Sequence, residues 1–251
     1  MSGHSKWATI KHKKGAADKA RGKLFAKLLR QVEVAAREGG GDVDANPTLR
    51  TFVQKCRDNS VPMDNIERAI KRGTGELEGV RYETITYEGY APNGVAMIVE
   101  TLSDNRNRTG AEVKHIFTRN GGSLAEPGAV AWQFERKGVI IVDKASGADE
   151  DDLMMAALEA GADDVEDQGD TWQVTTPPSD LMAVRTALEE AGVPFTSADL
   201  TMLPSNTVPL GDEAGAKAVL RVLDALEEHD DVQAVYANFD IPDDILQAVS
   251  A

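Results

Sequence analysis

Cysteine is almost missing from this chain: Cys56 is the only one in 251 residues. One thiol makes neither an internal disulfide nor a cysteine-based zinc site, and it points to a reducing compartment. Long apolar runs are missing as well. No stretch reaches the roughly 18 uninterrupted apolar residues of a membrane span, and Met1-Ser-Gly-His-Ser-Lys-Trp7 has no apolar core of the signal-peptide kind. A soluble, cytoplasmic chain with no membrane partner is therefore expected. The signatures of common catalysts are absent too. There is no Gly-x-x-x-x-Gly-Lys phosphate loop, no Gly-x-Gly-x-x-Gly after a strand and no Gly-x-Ser-x-Gly elbow. His4 and His12 are spaced for neither helical nor finger-type ligation, while His115 and His229 fit a helix surface and a helix end. Asp149-Glu-Asp-Asp152 reads as a helix cap with first-turn carboxylates, and its spacing is not that of a calcium loop. No catalytic residue, metal or cofactor is expected.

What is present is charge, unevenly placed. The formal net charge of -15 would by itself argue against nucleic acid. Yet residues 1–80 carry 16 Lys/Arg against 10 Asp/Glu, and residues 1–37 carry 10 against 2. From Gly138 onward the count is 4 against 25. Because salt screens charge over about 8–10 Å, a basic pole can attract phosphate while the far end stays acidic.

Hydrophobic periodicity divides the chain into three units. Residues 1–79 read as a basic arm followed by three amphipathic helices. The first begins near Ala16, with Leu24, Phe25, Leu28, Leu29, Val32, Ala35 and Ala36 on one side and Lys19, Lys23, Lys27, Arg30 and Arg37 on the other. Asn46-Pro47 opens the second, which buries Leu49, Phe52, Val53 and Cys56. The third starts near Pro62, buries Met63, Ile66 and Ile70, and stops at Gly73. Residues 80–135 read as ββαβ: strands 82–90 and 95–102, a helix 105–120 burying Ala111, Val113, Ile116 and Phe117, and a strand 130–134. Residues 136–205 read as βαββαβ, the ferredoxin-like order, with Leu153, Met154, Ala157 and Leu158 inward on its first helix. A helix 212–228 and a strand 232–239 have no sheet of their own, so residues 206–251 are assigned back to the 80–135 unit. The expected class is α+β: an N-terminal helical bundle plus two α/β ferredoxin-like domains, one inserted in the other.

Three groups of cations are candidates for binding nucleic acid. The arm supplies Lys6, Trp7, Lys11, His12, Lys13 and Lys14 and continues into Lys19, Arg21, Lys23, Lys27 and Arg30. Flexible cations neutralise phosphates and release counterions, and an aromatic among them can stack on a base. The alternative is a solvated tail with Trp7 folded on the bundle. Arg68, Lys71 and Arg72 extend the surface, although cations near a helix end are also ordinary helix chemistry. Arg106 and Arg108 flank a helix start in Ser103-Asp-Asn-Arg-Asn-Arg-Thr-Gly110. That segment suits an anion site, or equally a capping loop whose arginines pair with Asp104 and Glu112.

Four separated segments resemble the YebC/PmpR family: the first fourteen residues, Val61-Pro-Met-Asp-Asn-Ile-Glu-Arg-Ala-Ile-Lys-Arg72, Tyr87-Glu-Gly-Tyr-Ala-Pro-Asn-Gly94 and Asp104-Asn-Arg-Asn-Arg-Thr109. The resemblance covers essentially the whole chain. It implies a helical bundle with two ferredoxin-like α/β domains and no agreed catalytic site. Bacterial members are described as transcriptional regulators that bind DNA. The family's mitochondrial translational activator of a cytochrome oxidase subunit implies action on ribosomal or messenger RNA, at the ribosome. The first segment starts at Met1, leaving no room for a transit peptide, so a bacterial member is expected; separately, a monomer is expected.

Overall fold

The computed structural model describes residues 18–250, and the fold is α+β. The expected basic arm and the start of its helix at Ala16 lie outside the described residues. Helices α1 (Asp18–Gly39), α2 (Pro47–Asp58) and α3 (Met63–Gly73) form the bundle. Its core is Leu28, Val32, Leu49, Val53, Cys56 and Ile66, and burial pushes the Cys56 thiol up to about 11. Asn46 joins α1 to α2. Its amide donates to the carbonyls of Ala35 and Gly40, and its oxygen accepts from the N–H of Leu49. This is an N-cap that also satisfies the end of the preceding helix. Small residues bring α3 against α1: a Cβ on Gly73 would lie 2.4 Å from the Glu33 carbonyl oxygen and 2.7 Å from the Ala36 Cβ. Leu24 and Met63, expected in the core, lie at the surface.

The middle domain opens with β1 (Glu83–Tyr90) and β2 (Ala96–Ser103), paired antiparallel from Glu83↔Ser103 to Tyr90↔Ala96. The chain reverses through Asn93 (φ 62°) and Gly94 (φ 74°), as a tight hairpin requires. Helix α4 (Arg106–Arg119) follows, capped by Asn105, then β3 (Ser123–Ala125). Val113 and Phe117 of α4 are buried, whereas Ala111, expected inward, is exposed.

The strand expected at 130–134 does not form. Residues Ala131–Gln133 make a single 3₁₀ turn instead. The cause is Glu88, a buried carboxylate on β1 that accepts the N–H groups of Gly128 (2.6 Å), Val130 (2.7 Å) and Ala131 (2.8 Å). Donors held by a side chain are not available to a strand ladder. Burial alone would raise the Glu88 carboxyl, but the three N–H donors outweigh it and hold the group below the usual range.

β4 (Phe134–Asp143) carries the chain into the third domain, with α5 (Glu150–Glu159), β5 (Asp164–Asp167), β6 (Thr171–Thr176), α6 (Leu181–Glu190) and β7 (Ser197–Pro204). The sheet order β5-β6-β4-β7, antiparallel throughout, is the ferredoxin-like arrangement. Asp149 caps α5 through the N–H groups of Asp151 and Asp152. Leu153 and Ala157 of α5 are buried, but Met154 and Leu158, expected inward, are exposed.

After β8 (Val208–Pro209) come α7 (Glu213–Glu227), β9 (Val232–Ala237), β10 (Phe239–Asp240) and α8 (Asp243–Ser250). β9 pairs with β2, giving the order β3-β1-β2-β9, and β10 pairs parallel with β8. One face of this sheet packs on α4 and α7 through Met97, Val99, Phe117, Leu223 and Val235. The other face, through Ala96, Ile98 and Tyr236, meets Phe134 and Met202 of β4 and β7. The two α/β domains therefore share an apolar contact.

Glu88→Gln removes the charge from three hydrogen bonds at once. It should lower stability by about 1–3 kcal/mol and the melting midpoint by roughly 2–4 °C or more. Glu126→Gln, on an exposed side chain of the same loop, should leave the midpoint unchanged in the same calorimetric scan.

Candidate nucleic-acid interface

The cationic side of α1 faces the C-terminal end of α7. That helix ends in Glu227-Glu228 and continues into His229-Asp230-Asp231, so negative charge sits where the helix dipole is already negative. Cations from α1 resolve the conflict. Lys27 Nζ donates to the Glu227 carbonyl (2.7 Å) and Lys23 Nζ to the Glu228 carbonyl (3.0 Å). Lys23 also lies 3.4 Å from the Asp230 carboxylate. Arg30 donates to the Asp230 carbonyl (2.9 Å) and to Asp231 Oδ1 (3.1 Å), with its guanidinium 5.3 Å above the centre of the Tyr82 ring. Burial lowers the Lys27 amine to about 8, even though Glu227 and Asp230 oppose the shift.

Asp231 is the centre of this junction and is buried, with 5 % of its surface exposed. Its Oδ2 accepts from Arg108 Nη2 (2.6 Å) and from the Thr109 hydroxyl (2.7 Å). The single Thr109 proton goes to the carboxylate, so the Ser103 hydroxyl, 2.7 Å away, donates to Thr109 and in turn accepts from the N–H of Asn105. Burial alone would raise the Asp231 carboxyl. The hydrogen bonds from Thr109 and Arg108 and the nearby Arg30 charge outweigh that and hold it below the ordinary 3.8. Glu112, His229 and Asp231 form the one trio among the described residues close enough to share a metal ion. Both Asp231 oxygens already accept hydrogen bonds, from Arg30, Arg108 and Thr109. His229 Nδ1 accepts the Asp231 N–H (3.1 Å), which leaves the proton on Nε2 facing Glu112 Oε2 at 2.8 Å. Within the trio a neutral imidazole hydrogen-bonds Glu112, and the ion pairs run outward from the two carboxylates to Arg30 and Arg108.

The candidate cations thus divide. Lys23, Lys27 and Arg30 are drawn to α7. Arg108 meets Asp104, Asp231 and Glu112, the capping-loop alternative. Arg72 and Arg37 neutralise Glu33, a buried carboxylate of α1. Arg21, Arg68, Lys71 and Arg106 remain exposed, with no ion pair to another described residue. Lys6, Trp7, Lys11, His12, Lys13 and Lys14 lie outside the described residues, as does the side chain of Lys19.

Other ion pairs tie the bundle to the third domain. Arg185 reaches Asp58 through both terminal nitrogens (2.7 and 3.0 Å), and Lys55 pairs with Asp199 (2.7 Å). Sequence reasoning missed Glu33, Asp58, Glu88, Arg185 and Asp231 as organising residues. For Asp231 a signal existed, because four acidic residues at a helix C-terminus are locally unfavourable and call for cations from elsewhere. For the others no local signal exists.

Fold and site together define a class: a three-domain α+β protein whose basic helical bundle is clamped by ion pairs onto two acidic α/β domains. The comparisons agree and go further. Residues 5–76 match the model of the TACO1/YebC N-terminal domain, and residues 82–239 that of the TACO1/YebC second and third domain. The chain belongs to the TACO1/YebC family. It is 58 % identical to a Halothermothrix orenii protein over 251 residues, covering all of this chain and 99 % of that one. It is 59 % identical to a Thermobifida fusca protein, with full coverage of both. Each carries the name "Probable transcriptional regulatory protein". A solved structure of a conserved hypothetical protein from Aquifex aeolicus superimposes with a TM-score of 0.80 at 49 % identity, covering 90 % of this chain and 93 % of that one.

Asp231→Ala should release α1 from the middle domain. Protease cleavage in the link at residues 74–82 should rise by roughly tenfold, while Asp230→Ala, at an exposed carboxylate, changes it less than about twofold. Acid should do the same in the parent. A depressed carboxyl stabilises the fold above its unfolded pKa of about 3.9, and that contribution is lost as pH falls through its lower folded value. Scattering from pH 5 to 2 should therefore show the radius of gyration growing below about pH 4, with an earlier onset if Arg108 is replaced by Ala.

Proposed function

We propose that this protein is a non-catalytic, DNA-binding regulator of transcription that grips phosphates with its N-terminal end. The observation that carries this reading is Arg21, exposed at the start of α1 and without an ion pair to another described residue, leading back into a sequence that bears Lys6, Lys11, Lys13 and Lys14. The relatives' printed names support transcription as the process. Lys27 and Arg30 are held by α7, so the grip falls on the arm, Lys19 and Arg21, with Arg68, Lys71 and Arg106 as further contacts. A second reading, binding of messenger or ribosomal RNA in translation, has its own support. The outer face of α3 interleaves Asp64 and Glu67 with Arg68 and Lys71, and all four are exposed. Carboxylates on that face oppose its insertion between the phosphate walls of a major groove, and phosphate grip without base readout also suits RNA.

Binding of the full chain to duplex DNA and to single-stranded RNA across a salt series tests both readings. The log–log slope should be about -0.9 per duplex phosphate contacted, or about -0.7 per single-strand phosphate. Replacing Lys13 and Lys14 with Ala should make it shallower by roughly one to two units. Trp7→Ala should cost about 1–3 kcal/mol of single-strand binding if Trp7 stacks on a base, and much less on the duplex. Salt-independent affinity overturns the phosphate grip, and a clear preference for RNA replaces the first reading with the second.

A further inference from the structure

Three large apolar side chains stand on the outer face of α5: Met154 (37 % exposed), Met155 (58 %) and Leu158 (46 %). At about 100° per residue they fill an arc of roughly 100°. On the same projection Glu150 lies on one flank of that arc, Asp152 and Glu159 lie on the other, and Asp151 stands in line with it one turn earlier. Beside the patch runs a groove of about 580 Å³ lined by Met154, Ala148, Val165 and Trp172, with Glu150, Asp167 and Lys144 also on its wall. Residues 138–205 hold 15 carboxylates and two cations, Lys144 and Arg185. Both cations are already engaged. Lys144 pairs with Asp167 (2.5 Å) and lies 4.0 Å over the Trp172 ring, and Arg185 binds Asp58 and Glu189.

We propose that this face is a docking site for a cationic amphipathic helix of a protein partner. Apolar side chains of such a helix cover Met154, Met155 and Leu158 and enter the groove, while its Lys or Arg side chains meet the flanking carboxylates. The charge decides between occupants: an acidic rim with no uncommitted cation repels a polyphosphate, and it is the complement of a basic helix. Unbranched methionine side chains suit such a surface because they repack around different apolar anchors. The site lies on a different domain from the cationic end and does not depend on the nucleic-acid reading.

The test uses the full chain and a labelled synthetic helix of about 18 residues built from Leu and Lys, with Leu at i, i+3, i+4 and i+7. A scrambled peptide of the same composition is the comparison, and both are read by fluorescence anisotropy. The amphipathic peptide should bind the parent at least about tenfold more tightly than the scrambled one. Met155→Glu with Leu158→Glu should weaken binding at least about tenfold and leave the melting midpoint unchanged, because both side chains are exposed. Equal binding by parent and double variant, or by both peptides, overturns the site. So does self-association of the parent that the double variant abolishes, which would make a second copy the occupant, or a nucleic-acid affinity that falls in parallel.

Discussion

Negative charge at the end of α7 organises the way the domains meet. Helix-end carbonyls, two glutamates and two aspartates converge there, and none of them stabilises the others. Lys23, Lys27 and Arg30 approach from α1, and Arg108 approaches from α4. Each removes part of the repulsion, and the Asp231 carboxylate is buried only because donors from both helices surround it. Burying a carboxylate without such partners would cost several kcal/mol. The position of the bundle on the middle domain follows from that requirement.

The two kinds of domain contact differ in physical character. The α/β domains meet through Ile98, Tyr236, Phe134 and Met202, an apolar contact that salt does not weaken. The bundle is held by ion pairs to both of them: through Asp231 to the middle domain, and through Asp58 with Arg185 and Asp199 with Lys55 to the third. Such contacts weaken with ionic strength and with acid. The contact between the α/β domains is therefore the less sensitive to salt and acid, and the attachment of the bundle the more sensitive.

Separating charge along the chain lets one molecule present two surfaces of opposite sign. The cationic end suits phosphates, and the face of α5, apolar with carboxylates around it, suits a basic protein segment. Neither would work beside the other, because attraction and repulsion would cancel within a Debye length of about 8 Å.

Much of this was legible before any coordinates. Apolar spacing of 3.6 residues placed α1, α2 and α3, two strand-like segments placed the β1–β2 hairpin, and the βαββαβ order named the ferredoxin-like fold. Local pattern failed where a distant side chain overrode it. Glu88 captured the N–H groups of a segment that read as a strand, and Met154 and Leu158 stayed outside because Leu153 and Ala157, with Ala156 beside them, fill the space under α5. The same limit applied to the site. Spacing showed that Lys23, Lys27 and Arg30 share one side of a helix, and that their charge wants an anion. It could not show that the nearest anion is a helix end some 200 residues away in the chain. Periodicity records which face of an element seeks a partner, and only the packed chain decides whether that partner is a phosphate or one of its own carboxylates.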